Sequence, residues 1–181
     1  MNSKRCGVIS AAIVMMFSVP MISHAADGTI NINGAVTAQT CTINGNGAGS
    51  NDFTVTLPAV SASALSAAGQ TAGRKPFNIA LTACTPATGN VHTFFEPGPT
   101  TDTTTGNLVL EAGGATNVQI GLQNADFSPI KVGFADASQN SASVAIDSGE
   151  ANLSYYAQYV ATGVATAGAA NSSVMYTIAY P

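Results

Sequence analysis

The side chains able to do chemistry are few: three cysteines (Cys6, Cys41, Cys84), two histidines (His24, His92), nine carboxylates and five Lys or Arg in 181 residues. No GxSxG elbow, CxxC pair or HExxH run is present. His92 sits in the strand-like run NVHTFFEP and reads as a strand-face residue rather than a general base. Asp147 with Glu150, and Asp126 with Asp136, fall among turn residues, so they read as solubilising loop acids instead of a catalytic pair. GNGAGS lacks the spacing of a phosphate-binding loop and runs into polar residues, which marks a flexible turn. Arg74-Lys75 reads as a cap at the start of a strand. The expectation is a protein that is not an enzyme, with no cofactor, no metal and no small-molecule substrate.

The one covalent chemistry left is between cysteines, and the amino terminus decides which. Lys4 and Arg5 precede the mostly apolar stretch 8–19, and Ser23-His24-Ala25 ends in small residues suited to signal peptidase. Residues 1–25 are therefore expected to be a secretory signal cleaved after Ala25, with Ala26 the near alternative. A short anchor kept in the product is the competing reading, although the apolar core is shorter than the ~18 residues a spanning helix needs. Cleavage removes Cys6, and Cys41 with Cys84 become an even pair in an oxidising compartment. A disulfide is then expected, worth roughly 4 kcal/mol for so long a loop; two buried free thiols are the other reading. The remaining chain has nine acids against Arg74, Lys75 and Lys131, a net charge of −6. No basic footprint for nucleic acid is present.

These few groups must be held by strands. Apolar runs are short, rich in Val, Ile, Tyr and Phe, and bounded by Gly, Pro, Asn or Ser. They predict strands at 29–43, 53–57, 76–84, 91–96, 107–111, 117–123, 129–133, 142–146, 152–161 and 173–180. Only SASALSAAG, 61–69, reads as helical. About ten short strands in one domain predict an all-β sandwich. Its two ends alternate most strictly. DGTININGAV (27–36) sets Gly28, Ile30, Ile32, Gly34 and Val36 on one face, and SSVMYTIAYP sets Val174, Tyr176, Ile178 and Tyr180 on one face up to Pro181. Two readings stay open: the two ends pair within one molecule, or the first strand completes a different copy.

The mature start ADGTININGAVTAQTC, the Cys41/Cys84 spacing, the block YYAQYVATGVATAGAANSSVMYTIAYP and the penultimate Tyr180 resemble subunits of chaperone–usher fimbriae, the type 1-like pilins of Gram-negative bacteria. The resemblance implies an incomplete immunoglobulin-like β-sandwich lacking its last strand, completed by a donor strand from a neighbouring subunit or a chaperone. It divides the chain into a signal peptide (1–25), a donor-strand arm (26–39) and a pilin domain (40–181). It makes Gly28, Ile30, Ile32, Gly34 and Val36 the groove-filling residues. Gly34 would lie where the backbone must come close, whereas Gly28 departs from the side chain usual at that first site. Val174, Tyr176, Ile178, Tyr180 and Pro181 would form the acceptor groove and chaperone contact. The implied partners are copies of itself in a head-to-tail polymer, other pilins of the fibre, a periplasmic chaperone and an outer-membrane usher. The implied product is an extracellular fimbria supporting adhesion, with this chain its major shaft subunit. A minor adaptor pilin and a self-contained secreted carbohydrate-binding β-sandwich are the alternatives.

Overall fold

Alternating burial shapes the longest strands of the computed structural model, which describes residues 40–181. The expected signal (1–25) and arm (26–39), with Gly28, Ile30, Ile32, Gly34 and Val36, lie outside the described residues. Nine strands follow in chain order: β1 Thr40–Gly45, β2 Thr71–Thr85, β3 Gly89–Phe95, β4 Leu108–Val109, β5 Val118–Asn124, β6 Pro129–Ile130, β7 Val144–Ile146, β8 Ala151–Ala161 and β9 Tyr176–Ala179. In β8, Leu153, Tyr155, Ala157 and Tyr159 are buried, while Asn152 and Ser154 face solvent. In β2, Phe77, Ile79 and Leu81 do the same.

Every pairing is antiparallel. The larger sheet runs β1-β2-β8-β5-β4, with β6 also on β5, and the smaller runs β7-β3-β9. Phe77 lies opposite Tyr155 and Ile79 opposite Leu153, so the inward residues of β2 and β8 form one apolar row. The smaller sheet adds Val91, Phe95, Ile146 and Ile178 to the same core. Phe95 meets Tyr155 edge-on at 5.4 Å between ring centres, which ties the two layers together. The all-β, immunoglobulin-like class is as expected, and Cys41 of β1 is bonded to Cys84 of β2 across 43 residues.

Several elements differ from their expected form. The Arg74-Lys75 pair does not precede a strand. It lies inside β2, where the register against β8 shifts between Ala72 and Lys75, because the strand begins at Thr71 rather than 76. The helical stretch 61–69 shrinks to a 3₁₀ turn, Ala62–Leu65, anchored by the buried Leu65. A short helix, α1 Asp136–Gln139, was not foreseen; Asn140 ends it in the left-handed region (φ 63°). The stretch 53–57 is extended, yet it belongs to no ladder. Its alternation is real, since Phe53, Val55 and Leu57 are half-buried between exposed Thr54 and Thr56. Burial on one side produces that pattern whether or not a backbone partner exists.

Candidate functional site

Among the described residues no backbone hydrogen bond joins the stretch 53–57 to β9, which leaves a gap in the pairing between them. On one side β9 pairs with β3, Thr93 opposite Ile178 and Phe95 opposite Tyr176. On its other edge no strand follows among the described residues. The chain leading into β9 is held by residues after β3 and in and after β4: Glu96 N donates to Met175 O (2.9 Å), Glu111 N to Asn171 O (2.9 Å) and Ser172 Oγ to Val109 O (2.7 Å). Across the gap, residues 53–60 make no backbone–backbone hydrogen bond among the described residues. Among the described residues, β9 and the stretch 53–60 therefore each have a backbone edge with no strand partner, beside the half-buried Phe53, Val55, Leu57, Val174, Tyr176 and Tyr180, an arrangement suited to an added strand.

One end of the gap is closed by aromatics. The Phe53 and Tyr176 rings meet edge-on at 6.0 Å, and Tyr176 Oη donates to Asn51 O at 2.7 Å. Phe53 occupies the space a side chain at Gly45 would need, so that glycine permits the close approach. Farther along the stretch, from Leu57 on, lies an open cavity of about 370 Å³ whose lining includes Leu57, Val60, Leu65, Val118, Tyr159 and Ala165 and no residue of β9. Val60 is itself 37% exposed there.

The residues singled out at the carboxyl end divide cleanly by face. Ile178 is buried, and Val174, Tyr176 and Tyr180 are half-buried against the core. Met175 (65% exposed) and Thr177 point the other way, and Pro181 is exposed. Thr177 Oγ1 instead donates to Glu96 Oε1 at 2.8 Å. Desolvation pushes the Tyr176 phenol above its ordinary pKa, helped by the charge of Asp52, and desolvation alone does the same at Tyr180 and Tyr159.

Strand β3, on which β9 rests, is itself pinned by a side chain. Gln139 is fully buried; its Oε1 accepts from Phe95 N at 2.7 Å and its Nε2 donates to Phe95 O at 2.9 Å. Gln139, Gly45 and Phe53 were not assigned to the site from sequence. Only Phe53 carried a signal, its place in the alternating run FTVTL. His92 lies on β3 with Nε2 2.7 Å from Asp136 Oδ1, and no nucleophile joins them. Asp126 accepts from Ser128 N and Oγ, and Asp147 and Glu150 form a tight backbone turn. Among the described residues no cluster of ligating side chains suits a metal ion.

Comparison with known proteins points the same way as the geometry. The family model described as FimA, type-1 fimbrial protein A, matches residues 57–181. The major fimbrial subunit SMF-1 of Stenotrophomonas maltophilia is 49% identical over 172 residues, covering 92% of this chain and 99% of that one. The F17 fimbrial protein of Escherichia coli is 51% identical over 162 residues, 86% of this chain and 88% of its own. Among solved structures, an antigen and type I fimbria protein of Burkholderia pseudomallei superposes with a TM-score of 0.57 at 25% identity, over 79% of this chain and all of that one.

Proposed function

We infer the working arrangement of this chain from one premise: it belongs to the type-1 fimbrial protein family and is a structural subunit of a surface fimbria. Its partners in the fibre are other pilins. The arrangement inferred is donor-strand exchange. Residues 1–25 are removed on export, and the arm 26–39 of one subunit lies in the gap of the next, between 53–57 and β9. Ile30, Ile32 and Val36 fill the apolar floor, Gly34 passes where the backbones come closest, and Gly28 leaves the tip weakly anchored. Val174, Tyr176, Ile178 and Tyr180 receive them.

The single observation that carries this reading is that, among the described residues, β9 and the stretch 53–60 each have a backbone edge without a strand partner. Burying Ile30, Ile32 and Val36 is worth about 5–9 kcal/mol together, before any backbone pairing. Each subunit donates at one end and accepts at the other, so the contact does not close and generates a filament. An open gap invites aggregation. A periplasmic chaperone therefore lends a strand and contacts the subunit at Pro181 until an outer-membrane usher passes it on. The likeness to a major fimbrial subunit supports the shaft role over a minor adaptor.

Deleting residues 27–36 tests the arrangement. The deleted chain should still be exported with its disulfide formed, yet build no ladder of polymers on a non-boiled gel. A ladder of normal length from the deleted chain would sink it. Counting copies per fibre by quantitative blotting separates shaft from adaptor.

A further inference from the structure

The outward face of the larger sheet carries a cluster that neither the core nor the gap uses. Along β2 and β8, Asn78 lies opposite Ser154 and Pro76 opposite Tyr156. Arg74 sits in the adjoining irregularity, its Nε donating to Gln158 Oε1 at 3.2 Å. The guanidinium carbon stands 4.4 Å from the centre of the Phe127 ring, and that ring packs at 4.9 Å on Tyr156. Phe127 is costly where it is. It is 47% exposed and has φ 69°, a region bulky residues avoid. Two hydrogen bonds hold it there, Phe127 N to Asn124 O and Gln123 Nε2 to Phe127 O, both 3.0 Å.

Among the described residues no carboxylate pairs with Arg74. The only ion pair among the described residues is His92–Asp136, and Asp126, next to Phe127 in the chain, turns its carboxylate to Ser128. Yet the guanidinium is oriented at Nε and stacked on an aromatic, which leaves its terminal nitrogens free to bind a carboxylate in a fixed fork. Beside it opens a cleft of about 330 Å³ lined by Asn46, Pro76, Asn78, Ser154 and Tyr156 among others. From its lining residues Asn78 and Ser154 a polar row continues to the neighbouring Asn152: Asn78 Nδ2 donates to Asn152 Oδ1 (2.7 Å) and Asn152 Nδ2 to Ser154 Oγ (3.2 Å), with further donors and acceptors to spare.

We propose that this face binds a carboxylated sugar. Arg74 takes the carboxylate, the Phe127–Tyr156 pair supplies an apolar platform for the C–H face of the ring, and the amide row takes hydroxyls. An extended acidic peptide fits less well. β2 lies between β1 and β8, and β8 between β2 and β5, so no strand edge is free here for peptide backbone. The cleft is at the small end of ligand sites and shallow, which sets single-site affinity near the millimolar range. Repetition along a fibre raises it by multivalency. That repetition alone rests on the polymer reading; the site belongs to one subunit.

The test is saturation-transfer NMR and titration of the exported chain with 3′-sialyllactose, lactose and a tetraglutamate peptide. Sialyllactose should bind with Kd on the order of 1 mM, and lactose and the peptide about tenfold more weakly or less. Arg74→Gln should lose about tenfold for sialyllactose, and Phe127→Ala should weaken both sugars, while both variants still polymerise. Equal binding of lactose and sialyllactose, no loss in Arg74→Gln, or a peptide that competes as strongly overturns the proposal. So does failure of Arg74→Gln to polymerise, which would make this face a contact between copies. Because binding is read on single subunits, it stands or falls whether or not the arm drives assembly.

Discussion

Replacing Gln139 by leucine removes the side chain that pairs with both backbone groups of Phe95. Gln139 is fully buried and Phe95 is 2% exposed, so water has no ready access to the orphaned N–H, while Phe95 O keeps only the 3.2 Å bond from Gly133 N. The unpaired N–H costs about 1–3 kcal/mol and the bond lost at the carbonyl about 1, and the added apolar burial returns about 1–2. The net loss should be about 1–3 kcal/mol, or a melting point lower by roughly 3–12 °C for a domain of this size. Gln139→Glu sharpens the test. The carboxyl would sit buried against Phe95 O, which favours its protonated form and raises its pKa in the folded state. Stability is then full below the unfolded carboxyl pKa and lost as pH rises through the folded one. Urea unfolding followed by near-UV circular dichroism from pH 4 to 8 measures both. A Gln139→Leu loss under about 0.5 kcal/mol, or a Gln139→Glu variant flat with pH, would show that β3 does not depend on this amide.

Removing the disulfide by Cys41→Ser with Cys84→Ser should cost about 4 kcal/mol through the loop it closes, read as a lower urea midpoint with unchanged spectrum. Ile178→Ala, at a buried position of β9, should cost about 2–4 kcal/mol and lengthen the time needed to capture an arm peptide in a fluorescence titration. Asp102 is held below its ordinary carboxyl pKa, first by Thr104 N and then by Gln119 Nε2. Its stabilising contribution is therefore present above the unfolded carboxyl pKa and fades as pH falls through the folded one. Carbon-13 titration should find its midpoint below those of free aspartates, and a midpoint at the free value would remove these bonds from the solution structure.

Much of the fold was legible because the strands alternate. NLSYYAQYVA maps onto β8 almost residue for residue, since buried Leu153, Tyr155, Ala157 and Tyr159 alternate with polar or half-buried residues, Gln158 alone being polar and buried as well. The cysteine pair followed from export chemistry and an even count. FTVTL misled only about pairing, because alternation records which side is buried and not whether a partner strand is present. The helix at 136–139 had no apolar period to announce it. The partner of Gln139 is 44 residues away in the chain, out of reach of any local pattern. The same holds for the rim of the gap, where Phe53 meets Tyr176 only after both sheets have closed around the core. Phe127 was hardest of all to foresee, since an exposed aromatic with positive φ violates both patterning and backbone preference.

The most direct test of the donor-strand account is to fill the gap from outside. Residues 38–181, with the disulfide formed, would be melted alone, with a peptide of residues 26–39, and with the same peptide carrying Ile32→Asp and a bulky residue at Gly34. A one-to-one complex with the native peptide should melt higher by roughly 15 °C at about a thousandfold excess over Kd, and the altered peptide should do nothing. A truncated chain that is already stable and monomeric, and indifferent to both peptides, would mean the sandwich is complete without a donor and the account is wrong.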